Sequence, residues 1–137
     1  MNGTWFPLPP AKAPDQMHPI ALAYIGDAIF EVYIRQYVLS KLNHRPEHLH
    51  RQTTKFVAAK AQAKVLAQWL PLLSEEELAV VKRGRNAKSG SAPKSADVLE
   101  YRQSTALESL VGYLYYTGQV DRLNELLSQA AREIEGK

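Results

Sequence analysis

The sequence predicts an all-helical fold, and three of its features support that prediction. Apolar residues recur at three- and four-residue spacing over long stretches, as they do on the buried side of amphipathic helices. Two of these stretches follow Ser74 and Asp97, each with a glutamate three residues later, which is typical of a helix N-terminus. No stretch alternates strictly between apolar and polar residues, as a half-buried strand would. We therefore expect about five main helices.

The first predicted helix runs from Pro19 to about Leu42. Proline suits its first turn, where a backbone N–H would have no partner within the helix. Its apolar residues form two neighbouring rows, with Ile20, Tyr24, Ala28 and Val32 in one and Leu22, Ile25 and Ile29 in the other. Because both rows are apolar, we expect this helix to be largely buried.

A second helix is predicted from Pro46 to about Leu70, and Pro71 helps to end it. Its apolar stripe consists of Leu49, Phe56, Ala59, Ala63, Leu66 and Leu70. The third helix is predicted to begin at Ser74 with a capping box. In that arrangement the Ser74 hydroxyl accepts from the Glu77 amide while the Glu77 carboxylate accepts from the Ser74 amide.

The third helix is expected to dissolve into a basic loop over residues 82–94, because glycines, serines and a proline interrupt the helical pattern there. The fourth helix is predicted to begin at a second capping box, Asp97 with Glu100, and to end near Gly118. A last amphipathic helix is predicted from Val120, Leu123, Leu126, Leu127, Ala130 and Ile134.

Length and composition limit the classes of protein to consider. With 137 residues, 45% of them hydrophobic, the chain suits one core, so we expect an irregular arm over 1–17 and one domain over 18–137. The absence of cysteine excludes disulfides, thiolate zinc sites and cysteine nucleophiles, and it favours a reducing, cytoplasmic location. No apolar run reaches the roughly 18 residues of a membrane span, so no membrane partner is expected. A net charge of +3 favours anionic partners.

Two acidic residues stand within otherwise apolar segments. Asp27 lies between Gly26 and Ala28 in the first helix, so we expect its carboxylate to emerge near packed helices. Glu108 lies among the apolar residues of the fourth helix. A hydrogen-bonded structural aspartate and a solvated helix flank are the alternative explanations. If the two carboxylates meet, they repel one another unless a hard cation such as Mg²⁺ joins them.

The segment YIGDAI, which starts at Tyr24, and the downstream segment ALESLVG, which starts at Ala106, resemble the paired signatures of the ribonuclease III family. The similarity covers most of residues 18–118. It implies a ribonuclease III-like helical endonuclease domain that hydrolyses double-stranded RNA with Mg²⁺, with Asp27 and Glu108 as catalytic and metal-binding residues. The chain ends soon after this region, leaving no room for a double-stranded-RNA-binding domain, as in the Mini-III subgroup.

Two acidic positions of the family are not acidic in this chain. Ala23 stands four residues before Asp27, and Thr105 stands three residues before Glu108, where the family usually has Glu and Asp. One Mg²⁺ held by two carboxylates and water remains chemically sufficient, which leaves the number of metals open. Thr105 is a candidate to orient a bound water.

The basic stretch after the third helix is a candidate RNA-binding segment, with a solvated loop as the alternative explanation. Mobile cations and backbone amides suit phosphates, and A-form RNA is recognised largely by its shape and backbone. The candidate residues are Lys82, Arg83, Arg85, Lys88 and Lys94.

Tyr24 occupies a position where the family places an aromatic residue that packs into the partner subunit. The resemblance therefore makes it a candidate contact of a homodimer, with a place in the core of its own subunit as the alternative. A twofold dimer would have one active site for each strand of a duplex.

Three other polar residues are assigned to the surface. Glu31 has Arg35 four residues on and matches no family ligand, so we expect a surface ion pair. His44 and His48 have a spacing that a metal site uses, but no further ligand is evident, and we predict surface histidines.

The resemblance implies maturation of the large-subunit (23S) ribosomal RNA precursor as the role, with a stem of that precursor as substrate and a ribosomal protein as a further candidate partner. Two other hypotheses stay open. Ala23 and Thr105 favour a non-cleaving RNA-binding or ribosome-assembly factor on the same fold, and a helical protein-interaction module is the third. Retention of both Asp27 and Glu108 favours the nuclease.

Overall fold

The computed structural model describes residues 6–87 and 97–136, and every regular element in these ranges is helical. Residues 6–13 of the expected N-terminal arm contain no helix. Single 3-10 turns stand at Pro14–Gln16 and Leu70–Leu72. The α-helices are α1 (Pro19–Leu39), α2 (Pro46–Val57), α3 (Ala59–Trp69), α4 (Glu75–Asn86), α5 (Val98–Tyr116) and α6 (Val120–Glu135). The all-helical prediction is confirmed. In the part of the chain that is described, no helix is both long enough and apolar enough to cross a bilayer.

The helix α5 is the centre of the fold. The helices α1, α3, α4 and α6 all pack against it, and every residue from Thr105 to Tyr115 is buried except Glu108. Phe30 of α1 and Trp69 of α3 are among the large side chains of the surrounding core. Burial of an apolar side chain of this size contributes roughly 1.5–3 kcal/mol, so α5 is held firmly from several sides.

The helices α1 and α5 cross with their backbones in contact at Gly26 and Gly112. A Cβ atom built on Gly26 would lie 1.8 Å from the carbonyl oxygen of Glu108. A Cβ atom built on Gly112 would lie 2.1 Å from the carbonyl oxygen of Leu22. Because nonbonded atoms repel strongly at such distances, glycine is required at both positions, and the two glycines set how closely the helices approach.

The second predicted helix is divided at Ala58, which has the extended dihedrals φ −60° and ψ 145°. This residue ends α2 and precedes α3, and its carbonyl accepts from the backbone N–H of Gln62 at 3.0 Å. The prediction of one continuous helix from Pro46 to Leu70 was therefore wrong. The physical reason is tertiary packing, because α2 packs on α1 while α3 packs on α5.

The helix α1 is buried on one side only. Leu22, Gly26 and Ile29 face the core, whereas Tyr24 is 84% exposed and Val32 is 38% exposed. The expectation of a largely buried helix is wrong for this outer row. Periodicity identifies apolar rows on a helix, but the number of neighbouring helices decides how many of those rows are covered.

The predicted helix starts are confirmed by their polar caps. The Ser74 hydroxyl accepts from the Glu77 amide at 3.2 Å, and the Glu77 carboxylate accepts from the Ser74 amide at 2.9 Å. At the start of α5, the Asp97 carboxylate accepts from the Glu100 amide at 3.0 Å, which is one of the two hydrogen bonds of the predicted capping box. Gly118, with φ 71°, follows the end of α5, as its predicted role at the helix end requires.

Substitution of Gly26 by Ala should destabilise the protein by about 1–3 kcal/mol or more, because the added methyl group forces α1 and α5 apart. Helix propensity alone predicts the opposite sign, a gain of about 1 kcal/mol. Urea unfolding measures the difference. The control is Ala21→Gly at an exposed position of the same helix, which should lose only about 1 kcal/mol. A Gly26→Ala protein as stable as wild type would contradict the close crossing.

Candidate active site

The carboxyl groups of Asp27 and Glu108 meet where α1 and α5 cross. Asp27 follows Gly26, whose backbone touches the backbone of Glu108, so both side chains leave their helices at the point of closest approach. The two groups are close enough for Asp27 to hydrogen-bond the Glu108 carboxyl. The structure thus brings together the two residues that the sequence singled out.

The two carboxyl groups differ in their exposure to solvent. Asp27 is exposed, whereas Glu108 is half-buried and is the one interruption in the buried stretch Thr105–Tyr115. The alternative explanation of Glu108 as a solvated helix flank therefore does not hold. Asp27 lies in an open groove on α1 that it shares with Tyr24 and Arg35. A ligand would approach the pair from the Asp27 side.

The pKa of Glu108 is raised to about 9, first by burial and then by the charge of Asp27 and the hydrogen bond with it. The amide of Gln62 has the opposite effect, because it donates to the ionised form. Without a cation, Glu108 therefore retains its proton at neutral pH, and the pair carries fewer charges than its two carboxyl groups allow.

Gln62 and Ser104 form a polar chain that reaches Glu108 from inside the fold. The Gln62 amide nitrogen lies 3.5 Å from Oε2 of Glu108, and the Ser104 hydroxyl donates to the Gln62 amide oxygen. Gln62 is fully buried. Neither residue was predicted from the sequence, although Gln62 interrupts the apolar stripe of α3, and a polar residue in such a stripe is itself a signal.

Two positions that are usually acidic in the family that the sequence resembles are occupied here by Ala23 and Thr105, and both are buried. Ala23 is 7% exposed and Thr105 is 8% exposed. The Thr105 hydroxyl donates to the Tyr101 carbonyl within its own helix at 3.1 Å, so its proton is not free to orient a water. Neither residue adds an anionic ligand to the pair.

Glu31 is paired with Arg35, as predicted, with Oε2 lying 2.6 Å from Nη2. His44 contacts the Leu39 carbonyl through Nε2 at 2.9 Å, near the end of α1. Across residues 6–87 and 97–136, no group of three or more histidine, aspartate or glutamate side chains is arranged to hold a metal ion. A site at Asp27 and Glu108 therefore has two protein ligands.

The candidate RNA-binding residues do not all lie in a loop, as the sequence had predicted. The helix α4 continues to Asn86, so Lys82, Arg83 and Arg85 lie in its last turns, and the prediction of a loop beginning at residue 82 was wrong. Lys88 and Lys94 lie outside the described residues. Gly84 touches Ala106 and Ser109 of α5, which anchors this end of α4 beside the segment that carries Glu108. The guanidinium of Arg83 donates to the Met17 carbonyl at 3.2 Å.

The donor set suits Mg²⁺. Two carboxyl groups lie together, one of them is desolvated, and their mutual repulsion is relieved when a hard cation joins them. Mg²⁺ is commonly held by one or two carboxylates, with water and phosphate oxygens completing its shell, so it does not need a larger protein cage. Asp27 and Glu108 are the residues that would hold it.

Asp27 and Glu108 both lie in the part of the chain that matches one known protein family. A model of the Ribonuclease III domain matches residues 20–119. Mini-ribonuclease 3 of Brevibacillus brevis is 47% identical over 126 residues, which cover 92% of this chain and 94% of that protein. Mini-ribonuclease 3 of Symbiobacterium thermophilum is 49% identical over 122 residues, covering 89% and 94%. A crystal structure of a Fusobacterium nucleatum protein matches with a TM-score of 0.80 at 28% identity, covering 90% of this chain and 98% of that one.

Without divalent cations, Glu108→Gln should stabilise the protein at neutral pH. Because the folded-state pKa of Glu108 is raised, the folded protein keeps a proton that the unfolded chain releases, and stability falls as pH rises through the window from about 4.5 to about 9. Glutamine avoids this loss, so we expect a gain on the order of 1 to 3 kcal/mol near neutral pH.

Thermal unfolding in the presence of a chelator, at about pH 5 and about pH 8, measures this effect. The gain should be larger at the higher pH. Asp27→Asn, which removes the repelling neighbour, should also stabilise the protein. A gain that is absent, or equal at both pH values, would refute the desolvated carboxyl pair.

Proposed function

Because this chain belongs to the ribonuclease III family, in its Mini-III subgroup, we propose that it is an endoribonuclease that hydrolyses double-stranded RNA with Mg²⁺. The observation that carries the proposal is the meeting of Asp27 and Glu108 at one accessible point of the α1 and α5 crossing. Family membership supports the reaction, and the geometry supports the two residues that we assign to it.

We assign Asp27 and Glu108 to the binding of one Mg²⁺, which would activate water and stabilise charge on the scissile phosphate. Asp27 lines the open groove, which is the side from which the scissile phosphate would approach. With the cation bound, Glu108 would release its proton to solvent, and α5 would hold its carboxylate on the desolvated side of the pair. The Ser104 hydroxyl donates a hydrogen bond to Gln62 and is not a free nucleophile. Hydrolysis by water without a covalent enzyme intermediate therefore fits this site.

We propose that the basic end of α4 and the residues after it bind RNA phosphates. Lys82 and Arg83 are exposed, and Arg85 is partly exposed. Contact of Gly84 with α5 supports this assignment, because it keeps these cations near the helix that carries Glu108. Phosphate contacts position a duplex without reading its sequence, so recognition would rest on A-form shape. The full set in this proposal is Lys82, Arg83, Arg85, Lys88 and Lys94.

We propose that Tyr24 contacts a second copy of the chain in a homodimer. Its exposure of 84% excludes the alternative role in the core of its own subunit, and Ala28 and Val32 continue the same exposed row. A row of this kind on a helix suits burial against an identical row across a twofold axis. Two carboxylate pairs would then serve the two strands of one duplex.

The biological role that we propose is maturation of the large-subunit ribosomal RNA precursor in the cytoplasm. A stem of that precursor would be the substrate, and a ribosomal protein is a candidate helper. Membership of the Mini-III subgroup supports this role. The alternative is a non-cleaving RNA-binding or assembly factor, which Ala23 and Thr105 favour because they leave only two carboxylates at the site.

Asp27→Asn and Glu108→Gln should each lower the rate of duplex RNA cleavage by at least about a hundredfold, because each removes a charged ligand of the cation. Purified protein, a labelled RNA duplex and Mg²⁺ are sufficient for the measurement. The matched control is Glu31→Gln, one turn along α1 from Asp27, which should cleave as wild type does.

Cleavage that persists in both variants would exclude this site. If the wild-type protein binds the duplex and does not cut it with Mg²⁺ or Mn²⁺, the binding-factor hypothesis replaces the nuclease. Thermal unfolding of each variant checks that a loss of cleavage does not come from a loss of fold.

Tyr24→Glu should convert a dimer into a monomer, because it buries a charge without a partner at the proposed interface. Sedimentation velocity of the variant beside wild type measures the change. Leu42→Glu is the control, since Leu42 is fully exposed outside α1 and should not affect association. A wild-type protein that sediments as a monomer at micromolar concentration would contradict the dimer.

A further inference from the structure

Gln62 is placed between two side chains of α5. Its amide nitrogen faces Oε2 of Glu108 at 3.5 Å, at the outer limit of a hydrogen bond, and its amide oxygen accepts from Ser104. Ser104 precedes Glu108 by four residues, so both lie on one face of α5. Gln62 is fully buried, and these two partners account for both ends of its amide.

We propose that Gln62, oriented by Ser104, is a positioning residue that holds the Glu108 carboxylate in the orientation in which it binds a divalent cation together with Asp27. This inference rests on the proposed function for the identity of the metal-binding pair. It concerns the protein's own hydrogen bonds, and it applies whether or not the ligand that completes the site is RNA.

The direction of the two hydrogen bonds supports the proposal. An ionised carboxylate only accepts hydrogen bonds, so the NH₂ end of the Gln62 amide must face Glu108. The amide oxygen then faces Ser104, whose hydroxyl donates to it. Without the hydrogen bond from Ser104, the side-chain amide of Gln62 would be free to rotate and turn its oxygen toward Glu108. The amide oxygen and the carboxylate oxygen would then repel one another.

The chemistry of a neutral donor also suits this place. A lysine or arginine in the position of Gln62 would orient Glu108 but would neutralise its charge and compete with the cation. An amide orients the carboxylate and leaves the charge available. Because charge-assisted hydrogen bonds are shorter than neutral ones, we expect the Gln62 to Glu108 contact to shorten when Glu108 ionises.

The burial of Gln62 is difficult to explain by stability alone. An unpaired buried amide costs roughly 1–3 kcal/mol, and an apolar side chain would fill this position of the α3 stripe without that risk. Neighbouring Val65, Leu66 and Trp69 are buried and apolar. A polar residue that reaches the carboxylate pair from this interior therefore indicates a role at the pair.

Binding of Mn²⁺ to the metal-free protein, followed by electron paramagnetic resonance of the free ion and without RNA, tests the proposal directly. Gln62→Leu should weaken binding about 10- to 100-fold, as loss of a hydrogen bond to a metal ligand typically does. Ser104→Ala should weaken it by a smaller factor. The control is Gln68→Leu, an exposed glutamine of the same helix, which should bind as wild type does.

A second readout is the dependence of duplex cleavage on Mg²⁺ concentration. Gln62→Leu should need more Mg²⁺ for half-maximal cleavage and should recover most of its kcat when Mg²⁺ is saturating, because both carboxylates remain. A merely structural role of Gln62 would lower the temperature of unfolding and leave the affinity for Mn²⁺ unchanged.

The possible outcomes separate this inference from the proposed function. Unchanged Mn²⁺ affinity in a folded Gln62→Leu protein overturns the inference, and if that variant does not fold, unchanged affinity in Ser104→Ala overturns it. Wild-type protein that binds no more Mn²⁺ than Asp27→Asn overturns it as well. Weakened Mn²⁺ binding in a protein that never cuts RNA supports the inference while the nuclease proposal fails.

Discussion

The backbone contact between α1 and α5 is the constraint on which the rest of the structure depends. Gly26 and Gly112 allow two helices to approach more closely than any side chain would permit. That approach places Asp27 beside Glu108 on α5, the helix against which α1, α3, α4 and α6 pack. A single geometric requirement therefore serves both the stability of the core and the assembly of the carboxylate pair.

The electrostatics of the pair follow from this geometry. Asp27 is exposed, whereas Glu108 is set in a helix that is otherwise buried, so burial and repulsion act on the same carboxyl group. Within residues 6–87 and 97–136, no basic side chain is among the groups that shift the pKa of Glu108, and its other named contact is the neutral amide of Gln62. Such a site disfavours two negative charges in the free protein and favours them when a cation is bound, which couples metal binding to proton release.

The outer surface of the fold is shaped by two local features of the helices. The break at Ala58 lets α2 pack on α1 and lets α3 pack on α5, and in this way Gln62 reaches Glu108. The row of Tyr24, Ala28 and Val32 stays uncovered because the helices that pack on α1 cover its other sides. An apolar row beside the carboxylate groove connects the proposed dimer interface with the proposed active site on one helix.

The sequence by itself determined the helical class, the capped starts of α4 and α5, and the end of α5 shortly before Gly118, and resemblance to a family singled out Asp27 and Glu108 as candidates. These features depend on local periodicity, on hydrogen bonds within a few residues, or on short motifs. They can therefore be recognised without knowing which helices pack against one another. Only the tertiary structure decided that the two carboxyl groups meet, that Glu108 is the desolvated one, that the second helix breaks at Ala58, that Tyr24 is exposed, and that Gln62, bonded to Ser104, reaches Glu108. Each of these depends on which helix faces which, and that is fixed by the packing of residues far apart in the chain.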